Sequence, residues 1–329
     1  METTNRLSPS PRPSQKHYVS HEYISAQNVS IAHYSDPSRL QFLPQKLKIF
    51  TEKEGQIYTK PRKVDHAPIS QKNTPEKGKK DKRNTENRKV IDLSQRLSFP
   101  YCAILRVISE FTNPKKQKDE ESGSGFLIGP RHLLTAAHCI YSEDWKVWAN
   151  FISIVPPEGG EERIYACRAY SFHDCDMALL ILDRSVGNEV GWFGISHYSQ
   201  LGAFEEKEAN STGFPFKYNG DMLTAKGKFL ECEDEEEIKF HIDITEGQSG
   251  GPVWIEEKCG AMALGVNSYA NKIDKYYGGV RFTKKKLVLM MNWVSEMYDV
   301  VEIVPQQEQE LAVANKNGQD KRKNSSKKE

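Results

Sequence analysis

Residues 247–252 read Gly247-Gln248-Ser249-Gly250-Gly251-Pro252, preceded by Thr245-Glu246 and followed by Val253-Trp254-Ile255. Glycines on both sides of one serine permit a tight turn and let another molecule come close to the hydroxyl. The same turn can aim the main-chain N–H groups of Gly247 and Ser249 at one point, where developing negative charge is held. The apolar residues after Pro252 place the turn at the start of a strand. A Gly-rich β-turn with an incidental serine would give the same string, so the reading depends on what else the chain supplies.

A serine hydroxyl is a weak nucleophile until a neighbouring base accepts its proton. A histidine serves best when an acid on its other nitrogen fixes the tautomer and stabilises the imidazolium. The segment Leu133-Leu134-Thr135-Ala136-Ala137-His138-Cys139 ends an apolar run in small residues, which let a backbone pass close behind the His138 ring. The segment Asp176-Met177-Ala178-Leu179-Leu180-Ile181-Leu182 sets a carboxylate directly before an apolar strand. Asp174 competes for the same role, and Asp176 is preferred because the strand begins immediately after it.

Around these segments the texture is that of many short strands. Runs at 103–108, 125–128, 145–154, 177–182, 239–242, 251–255, 261–267 and 278–282 are punctuated by Gly, Pro, Asn or charged clusters. This pattern indicates a β-sandwich or barrel rather than βαβ units. Leu287, Val288, Met291, Val294 and Met297 recur at helical spacing and predict an amphipathic helix over 284–298. Of the 329 residues, 37% are apolar, and the mean hydropathy of −0.67 is low for a chain that is globular throughout. Residues 1–88 accordingly read as a disordered basic leader, dense in Lys, Arg, Asn, Thr and Pro over 59–89. Residues 301–329 read as a disordered charged tail. The folded domain is expected over 89–300.

The 46 basic and 45 acidic residues balance to a net charge of +1, which points to neither nucleic acid nor a membrane surface. No apolar run approaches the roughly 18 residues of a membrane span, and residues 1–30 lack the apolar stretch of a secretory signal. Six cysteines lie in the central region. Their even number suits disulfides, while the missing signal argues for a reducing compartment. Five acidic residues at 233–237 read as a solvated loop. No Cys/His spacing fits zinc and no Gly-rich phosphate loop is present, so neither metal nor cofactor is implied.

His138, Asp176 and Ser249 follow one another at separations of 38 and 73 positions. In this order, TAAHC, DMALL and GQSGGP resemble the three signature segments of the chymotrypsin-like serine protease clan. Within the clan, the chain resembles the bacterial-type glutamyl endopeptidases. That likeness is carried by Arg88-Lys89-Val90-Ile91, Phe99-Pro100-Tyr101, Gly125-Phe126-Leu127-Ile128-Gly129-Pro130, Ser185-Val186-Gly187-Asn188, Gly191-Trp192-Phe193-Gly194 and Gly213-Phe214-Pro215. It covers about residues 88–298. The resemblance implies an all-β, trypsin-like fold of two six-stranded antiparallel barrels with a C-terminal α-helix. It further implies a serine endopeptidase acting on protein or peptide substrates, monomeric and made as a zymogen. In this reading His138, Asp176 and Ser249 are the triad, the Gly247 and Ser249 N–H groups form the oxyanion hole, and the leader is cut away near Arg88–Val90.

Two departures accompany the likeness. Gln248 stands where trypsin-type enzymes carry the acid that pairs with a freed N-terminus, so activation through that ion pair is not expected. The clan's usual partner for the cysteine beside the histidine is missing near 123–125, which leaves Cys139 reduced or paired elsewhere, with Cys102 as one option. Counting along the pocket-wall strand, Asn267, Ser268 and Tyr269 become candidate substrate contacts. Asn267 stands where glutamyl endopeptidases place a histidine. Asp243, six residues before Ser249, stands where trypsin-like enzymes place an acid that pairs with Arg or Lys. Preference for a basic or for an acidic residue before the cleaved bond therefore stays open. Two alternatives from other classes are a pseudoprotease acting as a binding module and a binder of acidic surfaces through the basic termini.

Overall fold

The computed structural model describes residues 30–34, 51–53, 56–58, 61–64, 87–159, 163–172, 175–198, 204, 206–218 and 220–295. Its centre is two closed, six-stranded antiparallel barrels. The first contains β1 (Ile104–Thr112), β2 (Lys118–Leu127), β3 (His132–Thr135), β4 (Phe151–Val155), β5 (Ile164–Phe172) and β6 (Ala178–Leu182). The pairing order is β5-β4-β1-β2-β3-β6, and β6 returns to β5. The second contains β7 (Glu208–Gly213), β8 (Met222–Leu230), β9 (Glu237–His241), β10 (Pro252–Glu257), β11 (Gly260–Asn271) and β12 (Tyr276–Arg281). These pair as β10-β7-β8-β9-β12-β11, with β11 returning to β10. Closure gives the strands of each ring a partner on both sides.

The burial of each strand follows its sequence. All five residues of β6, Ala-Leu-Leu-Ile-Leu, are buried, as expected of a strand covered on both faces. β2 runs from an exposed charged half, Lys118 to Glu120, into a buried Gly-Ser-Gly-Phe-Leu half, so its polar end meets solvent and its small-residue end meets the other barrel. One apolar cluster joins Val107, Phe126, Leu134 and Leu180 to Phe193, Trp254, Val266 and Phe282, crossing from the first barrel into the second. Truncating a fully buried member such as Leu180 to Ala should cost about 2–5 kcal/mol. The second barrel has its own core of Ile238, Phe240, Val253 and Leu264. Helix α1 (Lys284–Ser295) adds Leu287 and Met290 to the shared cluster. Its expected end at 298 lies outside the described residues.

Several strands run beyond the stretches legible in the sequence. β3, β5, β7 and β8 were not anticipated as strands. The described parts of the leader are also extended and pair with the domain. Ser30–Tyr34 lies parallel to β5. The hairpin of Thr51–Lys53 and Gln56–Tyr58 pairs with Gly194–Tyr198, and Arg62–Lys63 pairs with Gly191–Trp192. Arg88–Ile91 pairs antiparallel with β8. The expected cut near Arg88–Val90 therefore falls in a hydrogen-bonded strand, where an open, flexible stretch had been anticipated. The disorder expected of the remaining leader and of the tail concerns residues outside those described. The acidic run is likewise not a uniformly solvated loop: Glu236 pairs with Lys286 and Glu237 opens β9. No described helix is long and apolar enough to cross a membrane.

Candidate active site

Strands β3 and β6 are antiparallel neighbours, with Thr135 opposite Ala178. The chain leaves β3 and enters β6 at the same end of the barrel. His138, in the short turn Ala137–Cys139 after β3, and Asp176, two residues before β6, are thereby brought together. The His138 main-chain N–H donates to Asp176 Oδ1 at 2.8 Å, and the imidazole Nδ1 lies 2.6 Å from Oδ2. Ser268, at the far side, donates its hydroxyl to the same Oδ2. A carboxylate facing three donors is an acceptor, which assigns the proton to Nδ1 and leaves Nε2 as the ring's free acceptor. Asp174 lies outside the described residues.

Electrostatics reinforce the pair. Burial opposes the charged imidazolium, but Asp176 outweighs it, helped by Cys139, and the His138 pKa stands well above the usual histidine value. Burial likewise pushes the Asp176 carboxyl up, but His138 and the hydrogen bonds from His138 and Ser268 prevail, and its pKa lies below the usual carboxylate range. The two side chains are 39% and 17% exposed, so the ring can be reached from solvent while its partner is largely covered.

Ser249 sits in the turn between β9 and β10. Gly247 has φ +95° and Gly250 φ +83°, conformations that favour glycine. A Cβ on Gly247 would lie 2.6 Å from Phe214 O and from Phe216 N. The loop is held on two sides. From the first barrel, Ser124 N–H donates to Ser249 O at 2.8 Å, and the Ser124 hydroxyl donates to Gly247 O at 2.9 Å. From the second barrel, Gly250 N–H donates to Asn267 O at 2.8 Å, and Asn267 Nδ2 donates to Gln248 O at 3.0 Å. Among the described residues, the N–H groups of Gly247 and Ser249 have no protein acceptor, and no hydrogen bond joins Ser249 Oγ to His138. Gln248 is fully buried: its Oε1 accepts from Thr245 N–H at 2.9 Å and its Nε2 donates to Leu223 O at 3.4 Å.

The residues named for substrate binding have different partners. Asn267 is buried, and its Oδ1 is a sealed acceptor without a partner. Ser268 serves Asp176, and Tyr269 donates its hydroxyl to Glu237. Asp243 is 45% exposed and pairs with the Arg88 guanidinium at 2.9 Å. Cys102 and Cys139 are not joined to each other, so the pairing considered for Cys139 is not formed. Cys102 instead meets Val190 O, and burial pushes its pKa up to about 12. The glycine at 123 confirms the missing partner: a Cβ there would lie 2.5 Å from Cys139 Sγ. The sequence reading missed Ser124 and the Arg88–Asp243 pair. The first is one small residue inside a strand, and the second joins positions far apart in the chain.

The sequence pattern described as Trypsin matches residues 92–285. A protein of Bacillus subtilis (strain 168) named extracellular metalloprotease is 26% identical over 220 residues, spanning 62% of this chain and 67% of that protein. Among the described residues here, no group of three or more His, Cys, Asp or Glu is arranged to hold a metal ion. Glutamyl endopeptidase of Bacillus licheniformis is 23% identical over 213 residues, or 60% of this chain and 64% of that protein. The chain thus spans about two thirds of the length of these Bacillus relatives. The solved structure of Glu endopeptidase in complex with MPD superposes with a TM-score of 0.53 at 19% identity, covering 65% of this chain and 98% of that one. That likeness establishes the two-barrel fold.

Proposed function

The chain belongs to the trypsin family, and from that premise we propose that it is a serine endopeptidase whose triad is His138, Asp176 and Ser249. The observation that carries the reading is the His138–Asp176 pair at 2.6 Å, beside a glycine-flanked serine whose turn leaves two N–H donors unspent. Ser249 Oγ attacks the scissile carbonyl carbon as its proton passes to His138 Nε2. The resulting oxyanion is held by the Gly247 and Ser249 N–H groups. His138 then gives its proton to the leaving amine, and an acyl-enzyme remains. Water, activated by the same histidine, releases the acid. Asp176 keeps the ring oriented and its charged form stable throughout.

The alternative of a binding module without turnover draws on the missing Ser249–His138 hydrogen bond, but such bonds often tighten only around substrate. A fluorophosphonate probe decides between the two. Labelling of Ser249, together with turnover of a peptide library, is the expected result. A folded protein whose Ser249 stays unlabelled and which cleaves nothing would overturn the endopeptidase reading.

For specificity, a basic residue before the cleaved bond is favoured. Asp243 already binds a guanidinium, while Asn267, standing where glutamyl endopeptidases place a histidine, is neutral, buried and spent on Gln248 O, so it supplies no cation for a substrate carboxylate. Strong preference for Glu, unaffected by Asp243→Ser, would refute this. Residues 1–88 are proposed as a pro-segment and 89–300 as the protease domain, with Arg88 occupying Asp243 until the leader departs. N-terminal sequencing of active material should begin close to Val90, and full activity of the uncut chain from Met1 would rule the pro-segment out.

A further inference from the structure

In a trans peptide the C=O and the following N–H point in opposite directions. Fixing a carbonyl therefore aims the N–H of the next residue. In the loop before β10, the four successive carbonyls from Glu246 to Ser249 are all held. Glu246 O accepts from Phe216 N–H at 3.0 Å, which turns the Gly247 N–H the other way. Gln248 O accepts from Gly251 N–H at 3.1 Å and from Asn267 Nδ2 at 3.0 Å, which turns the Ser249 N–H the other way. Between them, Gly247 O accepts the Ser124 hydroxyl at 2.9 Å. That hydroxyl itself accepts from Phe214 N–H at 2.9 Å, so its single proton is committed to Gly247. Ser249 O is taken by Ser124 N–H at 2.8 Å.

Two of these holds come from side chains, one from each barrel, and both are buried. Ser124 is fully sealed, and the space for its hydroxyl is left by Gly213, where a Cβ would stand 2.5 Å from Ser124 Oγ. We propose that Asn267 and Ser124 are positioning residues: Asn267 Nδ2 holds the peptide that carries the Ser249 N–H, and the Ser124 hydroxyl pins the intervening Gly247–Gln248 peptide, so that the Gly247 and Ser249 N–H groups on either side of it converge on the oxyanion. Neither touches substrate in this role. The inference rests on the endopeptidase reading and deepens it.

The test is steady-state kinetics of full-length Ser124→Ala and Asn267→Ala, with rates normalised to the fraction of chain that a fluorophosphonate labels at completion. Deleting a whole oxyanion donor lowers turnover by about 10²–10³, so loosening one should lower kcat by roughly 10- to 100-fold. KM should stay near the wild-type value, and affinity for a peptide boronate, which mimics the tetrahedral state, should fall with kcat. The pH of half-maximal rate should not move, because the His138–Asp176 pair is untouched. A purely structural role would lower the labelled fraction and leave kcat per labelled site unchanged. That outcome, within twofold of wild type, overturns the proposal, and Ser124→Ala alone decides if Asn267→Ala does not fold. A wild-type chain that neither labels nor turns over would bring down the endopeptidase reading, and this inference with it.

Discussion

The first barrel supplies the site with side chains, and the second supplies it chiefly with main chain. His138 and Asp176 meet because two adjacent antiparallel strands end together, and one carboxylate gathers three donors. Ser249 arrives on a loop whose shape is set by many ordinary hydrogen bonds and two left-handed glycines. The contrast teaches that the chemistry on the first side is concentrated in single groups with no substitute. On the second side, the Ser249 hydroxyl apart, it is spread over peptide groups that back one another up. Losses should therefore be abrupt in one region and graded in the other.

Ser249→Ala and His138→Ala should be the most damaging changes, each lowering turnover by about 10⁶ in peptide hydrolysis assays, since members of a triad act as a unit. Asp176→Asn should lose about 10⁴ through the wrong histidine tautomer. If Asp174→Asn is inactive and Asp176→Asn is not, the acid has been misassigned. The same pair sets the pH dependence. His138 must be neutral to accept a proton, and Asp176 raises its pKa, so activity should disappear as pH falls through a midpoint above the usual histidine value. In Asp176→Asn the residual rate should have a lower midpoint, and a pH–rate profile unchanged by that substitution would break the assignment.

On the main-chain side, Gly247→Ala must force a left-handed residue and a Cβ 2.6 Å from two backbone atoms. Turnover should drop by about 10²–10³, as for loss of one oxyanion donor. A loss as deep as that of His138→Ala would erase the distinction between the two regions. The smallest effect belongs to Asp243→Ser. Its pair with Arg88 is 45% exposed on the carboxylate side, so thermal or denaturant unfolding should report under about 1 kcal/mol. Its influence should appear instead in which peptides are cut.

How much of this could be read from sequence follows the same division. β6 and the ends of β2 and β10 are apolar runs, and the three motifs mark where side-chain chemistry sits. β7 reads Glu-Ala-Asn-Ser-Thr-Gly, with no strand pattern at all, yet five of its six residues are buried. Two of its polar side chains are met inside the barrel, where Thr212 Oγ1 shares a hydrogen bond of 2.7 Å with Thr224 Oγ1 and Asn210 Nδ2 donates to Trp254 O at 3.4 Å, while the Ser211 hydroxyl is sealed without one. Hydropathy does not register a strand whose buried side chains are small and polar. Arg88 was read as part of a boundary, because nothing local announces a carboxylate that lies 155 positions further along the chain. Ser124 was passed over because its importance lies in what it holds, in another barrel.

The proposed oxyanion donors are main-chain atoms, and on that proposal tolerance of genetic drift takes a particular form. Every residue except proline carries an N–H, so at Gly247 or Ser249 only a change to proline deletes a donor. All other variation tilts the donors, through the glycines or through the residues that grip the carbonyls. In a saturation library, position 249 should reject substitutions for the sake of one hydroxyl. Ser124, Gly213 and Asn267 should reject them for the sake of shape, so that a map of intolerance would extend beyond the atoms that meet the substrate.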